Sequence, residues 1–132
     1  MIWFLRLLFA GIIAAMLWVT VTASQQQSLG EFARGPVMRD PWVVATLLDA
    51  YFAFLAFFVF VAWKEQSLPS RGRWFVSLLL LGNFAIAAYM LRELFVLSSG
   101  DSLDAVFTRR NPGHIGLAGA LTVVSVGVYL LA

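Results

Sequence analysis

The stretch DPWVVATLLDAYFAFLAFFVFVAWKE, Asp40 to Glu65, holds one carboxylate, Asp49, inside an otherwise apolar run. A carboxylate in such surroundings can hold a cation, relay a proton or clasp a neighbouring helix, and each role needs a polar partner. On a helix of 3.6 residues per turn Asp49 shares a face with Trp42, Ala45, Thr46, Ala53, Ala56 and Phe60. Leu48, Tyr51, Phe54, Leu55 and Phe58 point elsewhere. Small residues admit a neighbouring backbone, so the Asp49 face is predicted to turn toward a sister helix. The partners expected there are Tyr89, Arg92 and Glu93, at the end of LLLLGNFAIAAYMLRELF. A polar cluster of Asp49, Tyr89, Arg92 and Glu93 follows as the candidate site, with two readings. It is either a ligand, ion or proton site or, more plainly, a hydrogen-bonded clasp between two helices. Asn83, beside Gly82, is expected to bridge two helices by hydrogen bonds.

Little else in the chain can do chemistry. His114, in RRNPGHIG, is the one histidine, and there is no cysteine. One imidazole is a weak candidate ligand, because a metal site takes several, and no metal is expected. There is no glycine-rich phosphate loop, no metal-binding helix motif, and no serine spaced from histidine and acid as a nucleophile would be. No enzyme is expected. Nor is a cofactor, although a bound lipid suits so apolar a chain and contact with a neighbour's pigment or haem is left open. A net charge of +2 gives no reason to expect nucleic acid.

The elements that must position these residues follow from composition. The chain is 61% hydrophobic and 12% charged, against about 25% charged residues in a soluble domain. It is expected to lie in a membrane, with membrane lipids and other integral membrane proteins as its partners. Four apolar stretches, 2–23, 42–63, 74–97 and 115–132, each approach the ~20 residues that cross a bilayer core. Pro36, Pro41, Pro69 and Pro112 all fall between them. Lipid offers no partner to free backbone amides, so the stretches are predicted as helices. The fold class is all-α: one transmembrane domain over 1–132, a four-helix bundle. A short interfacial helix is expected in SGDSLDAVFTRR, where Leu103, Val106 and Phe107 recur at helical spacing.

Arg6 and the VTA before Ser24 give the first span a passing likeness to a signal peptide. Its long apolar run favours a retained anchor. Trp3, Trp42, Trp63 and Trp74 stand at span ends as interface anchors, and Trp18 lies near one. Arg6 is expected to snorkel to the surface or pair with Glu65. In the fourth span Gly116, Ala120 and Gly127 form a stripe with Gly119 nearby, a predicted helix-packing face. Four crossings put Arg6, Lys64, Arg71 and Arg73 on one side, and Arg34, Arg39, Arg109 and Arg110 on the other with Arg92 at its edge. The near tie leans, through the dense Lys64–Arg73 turn, toward both termini in the cytoplasm of a bacterial inner membrane.

The chain resembles a family of small bacterial polytopic membrane proteins described as a domain of unknown function. The pattern rests on Asp40, Pro41 and Trp42; Ala45, Thr46 and Leu47; Asp49; Tyr51 and Phe52; Trp63, Lys64 and Glu65; Gly82 and Asn83; and Tyr89. The resemblance covers the middle half of the chain, leaving the Ser98–His114 loop and the fourth span outside it, and implies architecture without a mechanism. The expected function is therefore an accessory subunit in a larger membrane complex of respiratory or photosynthetic type. The alternative is a small-ligand, ion or lipid binding or transport module built on the Asp49 cluster.

Overall fold

The computed structural model describes residues 1–98, 100–113 and 116–131, and these are helical almost throughout. The helices are α1 (Ile2–Gln26), α2 (Leu29–Arg34), α3 (Pro41–Lys64), α4 (Leu68–Leu81), α5 (Asn83–Val96), α6 (Asp104–Thr108) and α7 (Gly116–Leu131), with a 3-10 turn over Pro36–Arg39. Two of them, α1 with 25 residues and α3 with 24, are long and apolar enough to cross a membrane. Each starts or stops where local chemistry dictates. Asp40 caps α3, its carboxylate accepting the Trp42 amide at 2.8 Å, and Pro41 occupies the first turn, where a missing N–H leaves nothing unpaired. Ser28 and Glu31 cap α2 reciprocally, each side chain accepting the other's backbone N–H.

The third apolar stretch departs most from expectation. It is not one rod over 74–97 but two 14-residue helices, α4 and α5, folded back on each other at Gly82. The proof is a distance. Ser70 and Arg92 both touch the carboxylate of Glu65, at 2.6 and 2.9 Å, whereas on a straight helix they would stand about 33 Å apart. Likewise the rings of Trp74 and Tyr89 meet edge to face with centroids 4.8 Å apart.

Gly82 makes this turn because no other residue fits. Its φ is +52° with ψ −120°, a region L side chains rarely enter, and a Cβ there would lie 2.6 Å from Cζ of Phe54. Breaking the helix frees carbonyls at the end of α4, and neighbouring helices satisfy two of them. The Tyr51 hydroxyl of α3 donates to the Leu79 carbonyl at 3.2 Å, and the Tyr129 hydroxyl of α7 donates to that of Leu80 at 2.8 Å.

The hairpin stands at the centre. α1 lies along α5, α7 along α4, and α3 against both arms. The Arg6 guanidinium, at the start of α1, donates to the Leu94 carbonyl near the end of α5 at 2.8 Å, so α1 and α5 run in opposite directions. Arg6 also lies over the rings of Trp3 and Phe95, and it makes no ion pair with Glu65. α7 runs the same way as α4, since Thr122 meets Ser77 at 3.2 Å while Tyr129 reaches Leu80. The first residues of α1, the end of α3, the open ends of the hairpin and the start of α7 therefore gather at one end of the molecule. The N-terminus lies at that end, and α7 runs away from it as far as Leu131.

The buried core, Val61, Trp74, Leu78, Ala85, Tyr89 and Ala118, occupies the same half. Trp74 is fully buried under Tyr89 rather than anchored at an interface, because the fold-back brings α5 across it; Trp3, Trp42 and Trp63 are exposed at helix ends. On α7 the face toward α4 is Ala118, Leu121, Thr122 and Ser125, drawn in by the Ser77–Thr122 bond. Ala120 is exposed, a Cβ at Gly116 or Gly127 would meet nothing within 4 Å, and one at Gly119 would come only within 3.9 Å of Arg73. The glycine stripe thus lies away from the internal contact. The SGDSLDAVFTRR segment holds α6, with Val106 buried and Phe107 against Phe60.

Candidate functional site

At the gathered end lies a closed polar node. α3 ends on Lys64 and Glu65, whose side chains are wholly buried. Ser70 enters from the first turn of α4. Tyr89, Arg92 and Glu93 occupy one face of α5 at i, i+3 and i+4, neighbours on a helix surface. Asn111 comes from the segment after α6. Its backbone pairs with that of α3, the Asn111 N–H donating to the Lys64 carbonyl at 2.8 Å and the Gln66 N–H to the Asn111 carbonyl at 3.0 Å. Gly113 lets this segment pass Ser67, with φ +98° and no room for a side chain.

The geometry is dense. Glu65 Oε1 accepts from Asn111 Nδ2 at 2.7 Å, Arg92 Nη1 at 2.9 Å and the Tyr89 hydroxyl at 3.1 Å, while Oε2 accepts from Ser70 at 2.6 Å. Lys64 Nζ meets Glu93 Oε2 at 2.7 Å and donates to the Val106 carbonyl as well. Asn111 Nδ2 also donates to Glu93 Oε1 at 2.8 Å, and so ties the two carboxylates together. Arg71 Nε closes the end of α3 by donating to the Glu65 carbonyl at 2.7 Å. Two anions face two cations. Burial pushes the Glu65 carboxyl up, but hydrogen bonds from Ser70, Asn111 and Arg92, with the Arg92 charge, outweigh it and hold the group below its ordinary value. Outside the node, the Ser98 N–H, against the opposing effect of desolvation and with help from Arg109, holds Asp101 below its ordinary value too.

Of the predicted cluster the structure brings together Tyr89, Arg92 and Glu93, and leaves Asp49 out. Asp49 is exposed on α3, about 22 Å along the axis from Lys64 by helical rise. The reason is the hairpin, which returns residues 89–93 to the level where α3 ends instead of carrying them to the level of Asp49. The acid that meets them is Glu65. Asn83, the first residue of α5 at the hairpin tip, is exposed, and among the described residues its side chain makes no hydrogen bond. Sequence reasoning did not place Lys64, Glu65, Ser70 and Asn111 in the site. The available signal was the Gly82–Asn83 pair, which can be read as a turn between two half-length helices.

Among the described residues, no buried polar side-chain atom of the node lacks a hydrogen-bond partner. Two shallow concavities lie elsewhere, on the outer face of α1 around Leu17 and Trp18 and between α3 and α4 around Phe58 and Phe75. Among the described residues no three His, Cys, Asp or Glu side chains are grouped to hold a metal ion, and His114 lies outside the described residues. The node locks the end of α3 to both arms of the hairpin and to the 109–113 segment.

A family model described as "Protein of unknown function (DUF1475)" matches residues 1–114, and the chain belongs to that family. The match includes the Ser98–His114 loop, contrary to the narrower resemblance expected above, and leaves α7 outside. No curated protein and no solved structure matches the chain.

Proposed function

We propose that this member of the DUF1475 family is an integral membrane protein of structural type, an accessory subunit that packs within a larger membrane assembly and performs no chemistry of its own. The observation that carries this reading is the self-sufficiency of the node. Its two carboxylates are answered by Lys64 and Arg92 within the chain; Lys64, Glu65 and Glu93 are buried and Arg92 is 16% exposed, so each charge of the node already has its counter-charge. Catalytic and transport sites keep such groups accessible.

α1 and α3 cross the bilayer in this reading, the α4–α5 hairpin enters and leaves on one side, and α7 accompanies α4. Each arm, about 21 Å long by helical rise, reaches roughly two thirds of the way through a ~30 Å core. Backbone that turns at such a depth is tolerated only against protein, as Tyr51, Tyr129 and Phe54 provide at Gly82. Orientation follows from charge. Of the nine basic residues, Arg6, Lys64, Arg71, Arg73, Arg92, Arg109 and Arg110 sit at the node end, and Arg34 and Arg39 at the other. In this reading the excess favours the node end, with the N-terminus, on the cytoplasmic side. The tie met under four crossings disappears because the hairpin moves Arg92, Arg109 and Arg110 across.

Extraction of native membranes in a mild detergent tests the accessory role. The expected result is a particle larger than the 14.6 kDa chain, with a second protein in constant ratio across preparations. A homogeneous monomer from membranes never exposed to harsh detergent would overturn it.

A further inference from the structure

The Asp49 side chain is exposed on α3 and, among the described residues, makes no hydrogen bond and no ion pair. It lies about 12 Å along the axis from Pro41, within the bilayer core if α3 crosses it. Ala45, Thr46, Ala53 and Ala56 share its side of the helix and are exposed with it. The packed half of α3, Phe57, Phe58, Phe60 and Val61, lies nearer the node. The hairpin accounts for the difference. Its tip meets α3 at Phe54, so the first three turns of α3 extend beyond it.

An ionisable group is retained at such a depth where it faces protein or water and finds a partner. Among the described residues the chain does not supply that partner. Seven of its cations stand at the node end, and Arg34 and Arg39 precede the first residue of α3. A second copy in the same orientation would offer only another Asp49 at that level. We propose that the Asp49 face of α3 is the docking surface for a membrane-crossing helix of a partner protein, and that this helix carries an arginine or lysine at the depth of Asp49. The alanines let the two backbones approach, and the carboxylate fixes register and selects the cation. The inference rests on the accessory-subunit reading and names its contact.

The test uses the full chain, fluorescently labelled, in phosphatidylcholine vesicles. The probe is a synthetic leucine–alanine helix carrying one arginine about 12 Å from its outer end; the control carries leucine there. Energy transfer should report binding roughly ten-fold tighter for the arginine helix. Asp49→Asn should abolish the preference, and Asp49→Lys should transfer it to a helix bearing glutamate. Because Asp49 is exposed and, among the described residues, makes no hydrogen bond or ion pair, both variants should keep the wild-type circular dichroism and melting temperature. Equal binding of the two probes, a preference that survives Asp49→Asn, or self-association that excludes the arginine helix would each overturn the proposal. A native complex that persists in Asp49→Asn membranes would also refute this surface while leaving the accessory role intact. Absence of any complex in wild-type membranes refutes the role itself.

Discussion

Glu65→Gln is expected to destabilise the protein by about 3–5 kcal/mol, the usual penalty for removing one partner from a buried ion pair. Glutamine keeps the size and loses the charge, so Arg92 and the donors from Ser70, Tyr89 and Asn111 converge on a neutral amide. The amide's own NH2 then opposes at least one of them. Steric-trap or detergent unfolding measures the loss. Arg92→Gln added to Glu65→Gln should recover part of it, because residues in one network do not act additively. Acid should do gradually what the substitution does at once. A carboxyl whose folded-state pKa is depressed contributes stability that is complete above its ordinary value of 4.5 and lost as pH falls through the lower folded value. Unfolding midpoints should therefore be flat with respect to this group from pH 7 to about pH 5 and fall below about pH 4.5. A loss below about 0.5 kcal/mol for Glu65→Gln, the level of an ordinary surface change, would mean that the node does not hold the helices together.

The second large effect is expected at Gly82. Gly82→Ala forces a side chain into a backbone region that only glycine occupies comfortably and drives its Cβ against the Phe54 ring. Strain and overpacking together should cost roughly 2–4 kcal/mol. The sign discriminates between architectures. In the interior of a continuous helix the same change would stabilise by roughly 0.5–1 kcal/mol. Phe54→Leu combined with Gly82→Ala should restore only the part due to overlap, since the positive φ remains. A Gly82→Ala protein as stable as the parent, or more so, would restore a straight third helix.

The helical class and the two long helices are legible from hydropathy alone, since uninterrupted apolar runs of this length have few other solutions. Hydropathy is blind to direction, and the composition of the site depends on direction. An apolar stretch from Trp74 to Leu97 has the length of a crossing whether it continues through Gly82 or doubles back there. The choice lies in one positive φ and in two tyrosines, Tyr51 and Tyr129, far away in sequence. Once the stretch is taken as a rod, Tyr89, Arg92 and Glu93 sit opposite Asp49; once folded, they return to Lys64 and Glu65. Tyr89, Arg92 and Glu93 stay together in either topology because i, i+3 and i+4 are neighbours on one helix face. Asn111 had no such signal, since it reaches the node by a backbone pairing that hydrophobic periodicity does not encode.

The hairpin carries the node, the orientation and the free face of α3, and its topology can be measured directly. The chain contains no cysteine, so single cysteines can be placed at Ser67, before α4, at Ser98, after α5, and at Gln27, after α1. Sealed inverted and right-side-out vesicles are then treated with an impermeant maleimide. Ser67→Cys and Ser98→Cys are expected to label from the same, cytoplasmic side and Gln27→Cys from the opposite one. Labelling of Ser67→Cys and Ser98→Cys from opposite sides would mean that residues 68–96 cross the membrane once, and would contradict the account.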